Sequence, residues 1–246
     1  MIGMKFEPAG VIDLLFEVEE TSRPVGPMPC MDGVTDLFES TVGLTASVWE
    51  NQIFGGDDIT WTGMEIQEDG SAGVLGTSGS YGVFSSAYSE ERTVYCLFKA
   101  PALSIVRQNR HIIGSCGGSV GQYRTGAWLT VSVDQYSAGD IITTDQWGIG
   151  ASAFVSCYDY HVVAVTRDAT GLNTIYADGV PKSTLQNHVA CSDNWGVGLI
   201  VDEYGNLGES PSSLQQIHFI ALANAAHSAE QVAENSAWIR QHFPGV

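Results

Sequence analysis

Apolar and polar residues alternate in short runs along most of this chain, and glycine, aspartate and serine interrupt the runs. Successive side chains leave a β-strand on opposite faces, so such alternation marks strands that bury one side. The pattern predicts strands at Thr45–Trp49, Ile59–Ile66, Gly73–Leu75, Tyr81–Phe84, Thr93–Lys99 and Arg110–Gly114. Further along it predicts Trp128–Val133, Ala153–Cys157, His161–Arg167, Asn173–Ala177, Trp195–Ile200 and Gln216–Ala223. Many short strands with turns between them define an all-β sandwich.

Some runs also assign faces. Val94, Cys96 and Phe98 share one side of their strand, and Leu129, Val131 and Val133 share one side of theirs. That sends Trp128, Thr130 and Ser132 the other way, toward solvent or a groove. His161–Arg167 is apolar on both sides, which predicts a central strand covered on two faces. After it, Tyr176-Ala177-Asp178-Gly179-Val180 reads as a hairpin, because glycine accepts the positive φ of a tight turn. Near the end, Ser228 and Gln231 form a capping box and Glu230 places negative charge in the first helical turn. Val232, Ile239 and Phe243, with Ala229 and Trp238 beside them, give that helix an apolar stripe for packing on the sandwich, and Pro244-Gly245 ends it.

Residues 1–45 differ in character. They carry Glu7, Asp13, Glu17, Glu19, Glu20, Asp32, Asp36 and Glu39 against Lys5 and Arg23, with Pro24, Pro27 and Pro29 close together. Prolines at this density favour an extended segment, since they cannot donate ladder hydrogen bonds. Two readings stay open: an N-terminal arm with an opening strand at Val11–Val18, or edge strands of the same domain. Residues 46–246 are the main domain.

Charge sharpens the picture. Twenty-eight acidic residues against ten basic ones leave a net charge of −18. That excludes nucleic acid as a partner, since phosphate binding needs clustered Lys and Arg, and it opposes docking on anionic lipid. It suits a basic protein partner, bound cations or plain solubility. No uncharged apolar run approaches the length of a membrane span, so no membrane insertion is expected. Glu7, Asp13 and Glu17 interrupt the apolar start, so no secretory signal is expected either. Cys30, Cys96, Cys116, Cys157 and Cys191 are irregularly spaced, without the pairing of a disulfide framework or zinc site. Cys96 and Cys157 lie in or beside apolar strands and are expected to be buried thiols.

Several segments in order carry a resemblance: Val48-Trp49-Glu50-Asn51-Gln52, Gly79–Val83, Thr93–Ala100, Tyr160–Val180, Asn194–Gly198 and Ile217–Ala223 before the capped helix. Together they resemble laminin-G-like, concanavalin-A-like jelly-roll domains. The resemblance implies a two-layer antiparallel jelly-roll β-sandwich with a short C-terminal helix. It also implies calcium at a loop end, for which the loop pairs Asp57-Asp58, Asp193-Asn194 and Asp202-Glu203 supply hard oxygen ligands. A domain of this kind without an export signal fits a bacteriophage virion protein made in the cytoplasm.

Some jelly-roll relatives are glycoside hydrolases with a Glu-Xaa-Asp-Xaa-Xaa-Glu strand. Here Glu65-Ile66-Gln67-Glu68-Asp69 lacks the central Asp, and Glu17-Val18-Glu19-Glu20 comes no closer. No nucleophile elbow, zinc helix or phosphate loop appears, and His111, His161, His188, His218, His227 and His242 show no metal-ligand spacing. His161 and His218 read as core residues. A non-catalytic protein is expected.

Sugar recognition needs exposed aromatic platforms beside polar groups. Trp128, Tyr123, Asp145, Trp147 and Trp61 are the candidates, the alternative being that these aromatics belong to the core or a subunit interface. The sequence thus predicts a virion structural or adhesion protein, capsid-decorating or tail-associated, that binds a glycan or cell-surface receptor. The N-terminal arm would engage other virion proteins, and a homo-oligomer is expected. A pure scaffold and a polysaccharide-degrading enzyme are the alternatives.

Overall fold

The computed structural model describes residues 27–75, 79–87, 89–99, 108–116, 126–133, 140–146, 149–155, 159–186, 192–202, 204–208 and 214–246. Of these, the side chains of 108–110, 116, 126–133, 140–146, 149–155 and 202 are not described.

The first half of the chain supplies β1 (Val34–Glu39), β2 (Val48–Trp49), β3 (Ile59–Thr62), β4 (Glu65–Ile66), β5 (Ala72–Val74), β6 (Tyr81–Ser85), β7 (Arg92–Lys99) and β8 (Gln108–Cys116). Next come β9 (Gly126–Val133), β10 (Asp140–Gln146), β11 (Ile149–Val155), β12 (His161–Arg167), β13 (Leu172–Ala177) and β14 (Val180–Gln186). The last elements are β15 (Asn194–Val197), β16 (Ile200–Asp202), β17 (Leu207–Gly208), β18 (Gln215–Ala223) and helix α1 (Ala229–His242). The first sheet runs β14-β13-β12-β7-β18-β5-β4, with β1 also paired to β18. The second runs β11-β10-β9-β8-β15-β6-β3-β2, with β16 and β17 beside β8. Pairing is antiparallel except where β16 lies parallel to β8. The predicted antiparallel β-sandwich with a C-terminal helix is the fold.

Between the sheets lies the main core. It takes Phe38, Trp49, Ile59, Trp61 and Phe84 from one end, Val94, Cys96 and Phe98 from β7, and Trp195, Val197, Ile217, Ile220 and Leu222 from the late strands. The Val94, Cys96 and Phe98 face is therefore the inward one, as alternation predicts. Burial pushes the Cys96 thiol well above its usual range, which leaves it a small apolar filler.

The first sheet is covered on its outer side as well. Tyr95, Leu97, Val162, Ala164, Tyr176, Phe219 and Ala221 pack there beneath Val232, Ile239 and Phe243 of the C-terminal segment. This explains the continuous apolarity of β12, since Val163 faces the main core while Val162 and Ala164 face the helix layer. In α1, the Gln231 backbone N–H donates to Ser228 Oγ at 3.2 Å and the Ser228 backbone N–H donates to Gln231 Oε1 at 2.7 Å. The capping box is formed as read. Buried Asn235 fixes the helix further, accepting from the Cys30 N–H at 2.8 Å and donating to the Cys30 carbonyl at 3.1 Å.

Asp178 and Gly179 have φ of 50° and 78°, a two-residue turn between β13 and β14. Any Cβ on Gly179 would lie 3.0 Å from Ala233 Cα, so the glycine serves both the turn and the close approach of α1. Asp178 reaches beyond its turn. It accepts from the Val162 N–H at 3.0 Å and from Arg240 at 3.1 Å, and it pairs with His161 at 2.7 Å.

Four strands fall outside the predicted set, the two-residue β17 among them. β1 lies within residues 1–45 and pairs along β18 from Val34 to Glu39. β10 is rich in Thr and Asp, and β14 reads Val-Pro-Lys-Ser-Thr-Leu-Gln. As an edge strand β14 is mostly exposed, and a Pro and a Lys are common features of edges that resist further pairing. The proposed strand Val11–Val18 lies outside the described residues.

Candidate functional site

On β3, Ile59 and Trp61 point into the core, so Thr60 and Thr62 face out. On β6, buried Gly82 and Phe84 alternate with the more exposed Tyr81, Val83 and Ser85. The register sets Thr60 opposite Val83, Thr62 opposite Tyr81, and Ser85 opposite Asn194 of β15. Of these outward positions, Thr60, Tyr81, Val83, Ser85 and Asn194 form the floor of a groove of about 650 Å³. Asp57 and Asp58, just before β3, make one wall, while Gly205 and Leu207, after β16, contribute to the other.

Asn51 braces the acidic wall. Its side-chain carbonyl accepts from the Leu37 N–H at 3.1 Å and the Ile53 N–H at 3.0 Å. Its amide donates to Asp36 Oδ1 at 2.8 Å and to the Asp57 carbonyl at 3.2 Å, and its backbone N–H donates to Asp58 Oδ1 at 2.8 Å. Asp36 is buried and also accepts from Thr35 Oγ1 at 2.9 Å and from Ser86 Oγ. Burial pushes its carboxyl above the usual range, against the pull of those hydrogen bonds. Next to the groove, a second cavity of about 460 Å³ is lined by Thr35, Asp36, Phe54, Ser86 and Asp193, and shares Asp57 and Ser85 with it.

The arrangement offers a half-buried phenol ring, hydroxyls, an amide and carboxylates around water-accessible space. Such a set recognises hydroxyl-rich ligands through many weak polar contacts. Among the described residues, no group of three His, Cys, Asp or Glu is placed to hold a metal ion.

The structure sorts the sequence-predicted residues. Trp61 is a correction: it is only 6% exposed and stacks on Trp49 at 6.0 Å between centroids, so it is core and not a platform. Its position two residues from Ile59 puts it inside, and the flanking threonines face out. Asp57 and Asp58 form a groove wall, and Asp57 meets Asp193 at the second cavity. Asp202 lies on β16 opposite Cys116, Trp128 on β9 opposite Gly114, and Asp145 on β10 opposite Gly150, with their side chains not described. Tyr123 and Trp147 lie outside the described residues. Tyr81, Thr60, Ser85 and Phe54 were not singled out from the sequence, and Asn194 was named there only beside Asp193 as a calcium ligand. The alternation of Tyr81–Ser85 carried a signal for the first, but the β6–β15 pairing that completes the floor did not show in it.

A second polar cluster holds the helix layer together. Asp69 accepts from Tyr160 Oη at 2.7 Å and Ser71 Oγ at 2.6 Å, and Lys99 stands 3.6 Å away, over the Tyr160 ring. Partial burial pushes the Asp69 carboxyl up, but the hydrogen bonds and nearby His218 outweigh it and hold it at about 2. His218 sits at a bulge where β18 slips against β7 between Ile217 and Phe219. The slip puts His218 against Tyr160 and Phe243, with Nδ1 2.7 Å from Ser40 Oγ. Burial drives its pKa down to about 4, with Lys99 adding to the effect and Asp69 opposing it.

The sequence matches no family model and no curated protein. The fold does match solved structures. Trypanosoma rangeli sialidase aligns with a TM-score of 0.61 at 15% identity, over 89% of this chain and 35% of the sialidase. The botulinum neurotoxin type G receptor binding domain aligns at 0.58 and 13% identity, over 84% of this chain and 51% of that one. The botulinum neurotoxin serotype D ligand binding domain, in complex with N-acetylneuraminic acid, aligns at 0.60 and 12%, again over 84% and 51%. This chain thus spans about a third of the sialidase and about half of the toxin domains. At such identities the likeness establishes a shared β-sandwich fold.

Proposed function

We propose that this chain is a non-catalytic, glycan-binding β-sandwich of the laminin-G-like type, with the groove over β3, β6 and β15 as its binding site. One observation carries the reading: Tyr81 faces outward from the sheet into a walled cavity whose other lining groups include hydroxyls, carboxylates and Asn194. An aromatic face beside convergent polar groups is the composition that sugar rings require. Two structural neighbours support it by their subjects, a toxin domain in complex with N-acetylneuraminic acid and a toxin whose cell entry depends on two ganglioside molecules.

The test is a glycan array read with the wild-type chain and with Tyr81→Ala. Selective retention that falls by about tenfold in the variant, with unchanged thermal stability, supports the site. Retention that ignores Tyr81 removes it. Repeating the array with a chelator tests for calcium, since loss of binding would mean that a cation takes part. Release of sugars from a polysaccharide substrate would instead favour an enzyme.

The setting of the domain is proposed from the sequence alone: a bacteriophage particle, with the acidic residues 1–26, ahead of the part of the chain that β1 ties into the sandwich, as the point of attachment. Incorporation of a chain lacking residues 1–26 at the wild-type level would refute attachment through that part of the arm.

A further inference from the structure

We infer, resting on the glycan-binding reading above, that the site takes an extended, uncharged oligosaccharide, rejects acidic sugars, and uses Phe54 as the aromatic platform of an end subsite.

Length comes first. The groove and the neighbouring cavity have volumes of about 650 and 460 Å³ and meet at Asp57 and Ser85. Each alone is the size of a small-ligand site, about 300–1,000 Å³. Tyr81 lines one and Phe54 the other, so a single sugar ring meets one aromatic face while a chain crossing Asp57 and Ser85 meets both.

Phe54 is completely exposed, yet it is held. It sits in the turn Ile53-Phe54-Gly55-Gly56, closed by the Gly56 N–H donating to the Ile53 carbonyl at 3.0 Å, with Gly55 at a φ of 86°. Ile53 packs against the apolar layer under α1, and its N–H donates to Asn51. The backbone that presents the phenyl ring is thus ordered before a pyranose stacks on it, so only the side chain has freedom left to lose.

Charge then selects the ligand. Asp57 and Asp58 line the groove, and Asp57 and Asp193 line the cavity beside it, where Asp36 is buried behind its own hydrogen bonds. No Lys or Arg is among the described residues lining either one. Carboxylates accept hydrogen bonds from sugar hydroxyls but repel the carboxylate of a sialic or uronic acid, and the chain's net charge of −18 adds to that repulsion. The fold shared with a domain that holds N-acetylneuraminic acid therefore comes here with a wall of the opposite preference.

The experiment is calorimetric titration of the full chain with neutral oligosaccharides of increasing length, taken from the glycans that the array retains, and with sialyl-capped or uronate-bearing counterparts. Affinity is expected to rise by at least about tenfold from monosaccharide to tetrasaccharide, and an acidic cap is expected to lower it by about tenfold. Phe54→Ala should weaken the long ligands by about tenfold and leave the short ones unchanged, with Phe54→Trp restoring the wild-type value. The double variant Asp57→Asn/Asp58→Asn should narrow the gap between neutral and acidic ligands. Acidic glycans that bind as well as neutral ones, or long ligands indifferent to Phe54→Ala, overturn the inference while leaving glycan binding intact. Failure of the folded chain to bind any glycan, neutral or acidic, overturns the binding reading itself.

Discussion

Trp61 and Tyr81 are neighbours in the second sheet that point opposite ways, and nearly everything expected of them follows from direction. Trp61→Ala removes a buried indole stacked on Trp49, and the loss of contacts and resulting cavity should cost about 3–5 kcal/mol in a denaturant titration. A cost below about 1 kcal/mol would place Trp61 outside the core. Asn51 acts by bracing. Asn51→Ala leaves the Leu37 and Ile53 N–H groups and buried Asp36 short of partners, so stability should fall by about 1–3 kcal/mol, with glycan affinity falling too because the acidic wall loosens. At this scale the sequence was half legible. Ile59 and Trp61 share a side, and two large apolar groups outweigh two threonines, so the burial of Trp61 was present in the pattern. Phe54 was not, because it occupies a turn where no periodicity applies.

Among the elements, the C-terminal helix was the most legible. Its capping box, its apolar stripe and its stop are local signals, and each is realised except that Ala229 stays exposed at the start of the stripe. Ser228→Ala should therefore cost about 0.5–2 kcal/mol, measured by thermal unfolding, with no effect on the groove. β14 and β10 were harder to see, because β14 is a mostly exposed edge strand and the polar sequence of β10 carries too few apolar residues to set a period. The seam beneath the helix gives a pH dependence. His218 has a folded pKa near 4 against an ordinary 6.5, so the native state binds fewer protons than the unfolded chain between those values. Its contribution is fully present above pH 6.5 and is lost as the pH falls to about 4, on the order of 3 kcal/mol by then. Asp69, held at about 2 against 3.8, loses its own contribution in the next window down, between pH 3.8 and 2. Denaturation midpoints from pH 7 to 4 should fall in the wild type and fall less in His218→Gln. A flat wild-type profile would mean the imidazole is not desolvated as placed.

For the whole molecule, the order of strand signals was enough to give two antiparallel layers and a covering helix, because burial on one face or two is written in the alternation. Which strands become neighbours was not, since β15 pairs with both β6 and β8 through contacts far apart in the chain. The groove exists only because that pairing sets Asn194 beside Ser85, and so a site made by topology escaped a reading made by sequence. The central claim is that glycan lies on the outer face of β3, β6 and β15. Amide chemical shifts recorded while a neutral glycan is titrated into the isotope-labelled chain test it most directly. Progressive shifts at Thr60, Tyr81, Val83, Ser85 and Asn194, with Asp69 and Tyr160 unmoved, are the result expected; saturable binding that leaves the first group still and moves other residues would contradict it.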